Sequence, residues 1–273
     1  MTDTNRDMFV LGIGAMKAAS TTLHHDLEQT FRLRMLPKEG GLLHLHSKPD
    51  HELQEMFEAK DGEVVASYSM APEIPSISSR AQNVLRNRDV KIIYLVRDPV
   101  QRILSHIHHD MSIGRIAEVS AWKSDSRFLS YSSYRRQYEI WESHFGHENI
   151  CVLPFEKYVE PSSDALRVIA TFLGREVPPD ASPIHVNASA NKRSARGVVR
   201  KLISSNAYRQ IRSRAPAALV DIGKSMLLSD ALVDKPILSG EDKDYIRKEL
   251  HREVAGIAEV ARIRAKWMDD ANG

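Results

Sequence analysis

Cysteine, long apolar runs and, over one stretch, acidic residues are what this chain lacks. Its 273 residues hold one cysteine, Cys151, which excludes an internal disulfide and fits a reducing compartment. No apolar run approaches the roughly 20 residues that a membrane-spanning helix needs, which excludes such a span. The opening, MTDTNRDMFVLGIGAMKAAS, has neither the basic start nor the long apolar core of a secretory signal. The sequence therefore predicts a cytoplasmic protein. Internal repeats and low-complexity linkers are missing too. With 42% hydrophobic and 27% charged residues the chain has an ordinary globular composition, neither disordered nor collagen-like. A net charge of +2 is too small to imply a nucleic-acid partner by itself. The missing acids are more informative. From Ala181 to Val220 there are eight Lys or Arg and no Asp or Glu. Such a segment faces an anionic ligand or surface, or is a solvated basic helix face.

What is present reads as alternating strands and helices. Met8 to Ile13 is a short apolar run, followed by a loop of small residues and the helical stretch TTLHHDLEQTF. A second strand is expected over Glu63 to Tyr68. The clearest strand is Val90 to Val96, which ends at Arg97-Asp98-Pro99, a turn opening a helix with proline near its first position. Tyr131 to Phe145 reads as a helix whose aromatic face is core. ICVLPF, from Ile150 to Phe155, is a further buried strand, and Ser163 to Leu173 a helix closed by Gly174. Beyond Asn187 the remaining residues read as helices. The pattern predicts an α/β fold, a P-loop-like parallel β-sheet with helices on both faces and a helical C-terminal extension. The expected division is an α/β core over residues 1–190 and a helical extension over 191–273 packed on the same domain.

Two segments carry phosphate-binding chemistry. The first, Gly14 to Leu23, lies between a strand and a helix. Its small residues, Ala18 and Ala19 among them, let backbone amides approach a phosphate where the helix N-terminus adds partial positive charge. Ser20, Thr21 and Thr22 add hydroxyls, and Lys17 a point charge. It is not a Walker loop: the Gly and Lys of that motif would fall on Ala19 and Ser20. A plain capped helix after a tight turn is the alternative, but it leaves the lysine unexplained. The second segment is Arg97-Asp98-Pro99-Val100-Gln101-Arg102-Ile103-Leu104-Ser105. Arg97 sits at the carboxyl end of a central strand, where open α/β sheets bind ligands. Arg97 and Ser105 can clamp a second phosphate, the arginine bidentate. A salt bridge of Arg97 to Asp98 is the simpler reading of that residue taken alone.

These segments resemble the sulfotransferases that use 3′-phosphoadenosine 5′-phosphosulfate (PAPS). The family's Gly-x-x-Lys-x-Gly-Thr-Thr-x-Leu is similar to Gly14 to Leu23, with Ala19 for the usual glycine and Ser20 for the usual threonine. Its Arg-Asp-Pro-x-x-Arg-x-x-Ser is matched without gaps by Arg97 to Ser105. Lys38-Glu39-Gly40-Gly41-Leu42-Leu43-His44 partly matches a stretch of the carbohydrate branch, which includes heparan sulfate sulfotransferases. Val64 stands where that branch has a lysine. The order of tyrosine, tryptophan, strand, acidic residue and Phe-Leu-Gly from Tyr134 to Gly174 also looks like this family.

The resemblance implies a transfer of the sulfuryl group from PAPS, as co-substrate, to a hydroxyl, less readily an amine, of a carbohydrate or small-molecule acceptor. A non-catalytic nucleotide-binding module of this fold and an atypical P-loop kinase are the competing classes. Sulfuryl transfer is mainly positioning and charge stabilisation, so the site needs cations and one base. By the resemblance, Lys17 neutralises charge on the leaving oxygen, and Ala18, Ala19, Ser20, Thr21 and Thr22 hold the 5′-phosphate. Arg97 and Ser105 hold the 3′-phosphate, and Lys192, Arg193 and Arg196 close over the nucleotide. Glu39 is the first candidate for the base, followed by His44 and His46; Glu63 orients the site or takes part in the chemistry. His106, His109 and Asp110 have helical spacing compatible with a metal, but no metal is expected. Neither a nucleic-acid partner nor a membrane span is expected, and a homo-oligomer is left open.

Overall fold

A computed structural model of the protein describes residues 8–38, 40–44, 48–70, 72–161, 164–176, 193–195, 228–232 and 235–271. Of the candidate residues, Glu39, His46, Lys192 and Arg196 lie outside them, and only the backbone of Arg193 is described. The chain divides into two compact units. One holds residues 1–102, 129–187 and 245–273; the other holds 103–128 and 188–244.

The first unit is built on a four-stranded parallel sheet, β1 (Met8–Gly14), β2 (Gly62–Val64), β3 (Asp89–Val96) and β4 (Ile150–Pro154), in the order β2-β1-β3-β4. β1 and β4 are buried along their whole length, as are the last five residues of β3. That burial on both faces is why these runs are apolar without alternation. The register is in step, Leu11 facing Ile92 and Ile93 facing Cys151. Two later contacts extend the sheet edges: Met35 bridges to Gly62 and Ala261 to Val152.

Helices α1 (Ser20–Gln29), α2 (Asp50–Glu58), α3 (Ile74–Val84) and α4 (Pro99–Ser112) connect the first strands. The short α5 (Arg127–Ser130) and α6 (Tyr134–Phe145) precede β4, and the short α7 (Phe155–Tyr158) and α8 (Ala165–Leu173) follow it. The chain ends in the long α9 (Gly240–Val260) and the short α10 (Lys266–Asp269). Tyr134, Tyr138 and Trp141 of α6 are buried, so its aromatic face is core, as its spacing predicts. α8 stops at Gly174, whose φ of 61° is the left-handed conformation that ends a helix.

Two local expectations differ. The strand expected over Glu63 to Tyr68 stops at Val64, and Ala66–Ser69 turns as a 3-10 helix. Tyr68 thereby faces Glu63 instead of alternating with it. In the second unit, β5 (Arg193–Ala195) and β6 (Leu228–Leu232) pair antiparallel where only helices were expected. Strands as short as RSA and LSDAL carry too little apolar alternation to be seen in the sequence.

Candidate active site

Strand order sets the location. From β1 the chain passes to β2 on one side and then to β3 on the other, so the order reverses between the adjacent strands β1 and β3. Ligands of open α/β sheets bind beyond the carboxyl ends of the strands at such a reversal. The Gly14–Thr22 loop leaves β1 there, and Arg97 follows β3.

The loop is tightly wound. Gly14 has a φ of 124°, and a Cβ at that position would lie 2.2 Å from the Ser69 Oγ, so no side chain fits. Lys17 and Ala19 hold positive φ values of 67° and 64°. At Ala19 this is the left-handed conformation in which glycine is at ease and alanine is strained. α1 begins at Ser20 with no side-chain cap and no acidic residue in its first turn. The positive dipole end of α1 favours an anion there. Ala18 and Thr22 are buried, while Lys17, Ala19, Ser20 and Thr21 are half-buried.

Arg97 reaches this loop: its Nη1 donates to the Lys17 carbonyl at 2.9 Å. The guanidinium lies over the Phe155 ring, 4.3 Å from the centroid. Among the described residues its Nε is buried with no hydrogen-bond partner, an unsatisfied donor that a bound ion or water would meet. Burial lowers the Arg97 pKa, against the opposing charge of Glu156. The backbone behind it is fixed. The Tyr134 hydroxyl donates to the Arg97 carbonyl at 2.8 Å, and Asp98 Oδ1 accepts the Gln101 amide at 2.9 Å to cap α4. An anionic nucleotide end fits these residues: an orphaned guanidinium N–H, a loop with no room for a side chain, and an uncapped helix start.

Beside the loop, Glu63 is fully buried. It accepts the Tyr68 hydroxyl at 2.6 Å and the Leu42 amide at 3.2 Å, while Tyr68 in turn accepts the Leu43 amide at 2.9 Å. Glu63 therefore braces the loop that carries His44. The His44 Nε2 lies 2.8 Å from the Ser67 Oγ, and its Nδ1 lies 3.2 Å from the Glu73 carboxylate. The His44 ring is thus held at both nitrogens, by a hydroxyl and by a carboxylate, which fixes its orientation.

Ser105 lies on α4 and belongs, with His106 to Asp110, to the second unit. There the buried Asp110 is approached at 3.5 Å each by His106, Arg115 and Arg127. Among the described residues no group of three or more His, Cys, Asp or Glu side chains is arranged to hold a metal ion. His24 is buried and packs edge-on against His25. Reasoning from sequence missed Tyr134, Phe155, Glu156 and Ser67. Each touches the site from a separate element; for Tyr134, Phe155 and Glu156 the only signal was the run of aromatic and acidic residues after β3, and Ser67, which precedes β3, carried none.

A family model described as the sulfotransferase domain matches residues 35–270, beginning after the Gly14–Leu23 loop. None of the curated proteins matches the chain. Among solved structures, a sulfotransferase from Alicyclobacillus acidocaldarius is similar in fold. It is 19% identical, with 65% of this chain and 86% of that one covered and a TM-score of 0.51. A mouse sulfotransferase, SULT7A1 complexed with PAP, is 15% identical over 98% of this chain and 88% of that one, with a TM-score of 0.47. Among the described residues no helix is long and apolar enough to cross a membrane.

Proposed function

Because the chain belongs to the sulfotransferase-domain family, we propose that it transfers a sulfuryl group from PAPS to a hydroxyl of a carbohydrate or small-molecule acceptor. The observation that carries this reading is the 2.9 Å bond from Arg97 to the Lys17 carbonyl, which joins the two segments read as phosphate-binding at one end of the sheet. A single phosphate would not need both. PAPS brings an activated sulfuryl group and two phosphate ends; the protein supplies grip, charge and a base.

In this reading Ala18 and Ala19, with Ser20, Thr21 and Thr22, form the cradle of the 5′-phosphate at the start of α1, the Ala18 amide itself donating to the Ala15 carbonyl at 3.1 Å. Lys17 lies in the same loop and balances charge that builds on the leaving oxygen. Arg97 takes the 3′-phosphate through its orphaned Nε. Ser105, Lys192, Arg193 and Arg196 are assigned to the nucleotide by the resemblance alone. The acceptor proton goes to a base on the loop at 38–44. Glu39 holds that role by the resemblance; His44 is the next candidate, oriented by Ser67 and Glu73, one of which must release its ring nitrogen before it takes a proton. Residues 1–190 are read as the α/β core that binds the donor, and 191–273 as the C-terminal extension that adds Lys192, Arg193 and Arg196. A cytoplasmic setting, with Cys151 buried and unpaired, completes the reading.

Radiolabelled PAPS offered with a panel of glycans and small hydroxyl compounds tests the activity, the expected result being label transferred to an acceptor. Lys17→Ala should lose turnover by about 10²-fold or more while product-nucleotide affinity falls only modestly. Glu39→Gln and His44→Gln separate the two bases: the true one loses about 10²-fold in turnover with donor binding unchanged. No label on any acceptor, with the nucleotide bound, would remove the catalytic reading.

A further inference from the structure

Glu156 joins three parts of the first unit. One oxygen, Oε1, accepts the Asp98 backbone amide at 3.1 Å, and the other, Oε2, accepts the Trp267 indole N–H at 2.9 Å. The residue before it, Phe155, lies under the Arg97 guanidinium. Both follow β4, the strand paired with β3, so their backbone is registered to that of Arg97: Val96 faces Pro154. Neither belongs to the two phosphate motifs.

The physics of this corner asks for such support. Arginine is long, and its planar fork binds a phosphate well only when its plane is set beforehand. Phe155 sets that plane by stacking. Glu156 sets the backbone from which Arg97 departs, because a carboxylate can accept from both N–H groups at once. A glutamine there would present its own N–H₂ to one of the two donors. Trp267 holds the second oxygen from α10, at the far end of the chain.

We propose that Glu156 is a positioning residue for the donor site: with Phe155 it holds Arg97 in the orientation that reads the 3′-phosphate, and through Trp267 it ties that orientation to the final helix. The inference rests on the assignment of Arg97 to the 3′-phosphate. It adds residues that lie outside both phosphate motifs and act through Arg97.

The test is calorimetric binding of adenosine 3′,5′-bisphosphate and of adenosine 5′-monophosphate to the full chain and to Glu156→Gln, Phe155→Leu and Trp267→Phe. The wild type should prefer the bisphosphate. Glu156→Gln should weaken bisphosphate binding about tenfold, the loss of one charge-assisted contact, while monophosphate binding changes less than about twofold. Phe155→Leu and Trp267→Phe should lower the same ratio by about threefold. General damage to the fold would weaken both nucleotides alike and leave the ratio intact. A wild type without preference overturns the assignment of Arg97 itself. A wild-type preference that Glu156→Gln retains or enlarges overturns the role of Glu156 alone. Should Glu156→Gln not fold, the ratio in Phe155→Leu and Trp267→Phe decides, and an unchanged ratio in both overturns the proposal.

Discussion

Arg97 and Arg102 stand five residues apart in one motif, the first at the end of β3 and the second on α4. Arg102 is fully buried, donates through Nε to the Ser132 hydroxyl and sits among Tyr94 and Tyr134. Burial lowers its pKa to about 10. Arg97 is half-buried, stacked on one side and hydrogen-bonded through Nη1, yet among the described residues its Nε has no partner. Two arginines of one motif thus divide the work. One is locked into the layer beneath the site; the other is supported from behind and keeps a donor to spare. A charged residue points to function when its geometry is fixed and part of its hydrogen-bonding capacity is left over, and burial by itself does not distinguish the two.

The widest separation expected from this comparison is in the alanine variants. Arg97→Ala should weaken adenosine 3′,5′-bisphosphate binding by about 2–4 kcal/mol with little change in melting temperature. Arg102→Ala should instead cost about 2–4 kcal/mol of stability, through the cavity and the abandoned Ser132 hydroxyl. Arg102→Met, similar in volume and uncharged, should recover most of that loss. Calorimetry and urea unfolding on the same variants check both halves. An Arg97→Ala protein as unstable as Arg102→Ala, with binding intact, would break the distinction.

Asp110 extends the comparison to the second unit. Burial is the main influence on it and raises its pKa, against the pull of Arg115 and Arg127. The unfolded carboxyl ionises first as pH rises. Stability from this group is therefore fullest below the ordinary value of 3.8 and declines from there to the raised folded value, above which it is level. Between pH 3 and 7 the wild type should lose stability relative to Asp110→Asn. The same slope in both proteins would show that the group does not carry this burial penalty.

The smallest effect belongs to the phosphate loop. Ala19 holds a left-handed conformation that glycine adopts without strain, so Ala19→Gly should stabilise the protein by up to about 1 kcal/mol. A loss of stability would mean that the methyl group packs better than its backbone strain suggests.

Much of the sheet was legible in the sequence, because β1, β3 and β4 are buried on both faces and read as unbroken apolar runs. β2 was overextended, since Val65, Ala66 and Tyr68 are also apolar and buried although the chain turns there. β5 and β6 carry no pattern at all. At the site, Lys17, the hydroxyls of α1 and Arg97 were visible because each motif is contiguous and ends a strand. Phe155, Glu156 and Trp267 were not: their meaning depends on β4 lying beside β3 and on the last helix reaching the same corner. His44 was visible as a candidate, but not its partners Ser67 and Glu73, which only the turn after β2 brings to it.

The central claim is that Arg97 gives this site its preference for a nucleotide phosphorylated at the 3′ position. Titration of the wild type and of Arg97→Ala with adenosine 3′,5′-bisphosphate and with adenosine 5′-monophosphate tests it most directly. The account predicts a wild type that binds the bisphosphate at least about tenfold more tightly and a variant that binds the two nearly equally. Equal affinities in the wild type, or a preference that survives in Arg97→Ala, would contradict it.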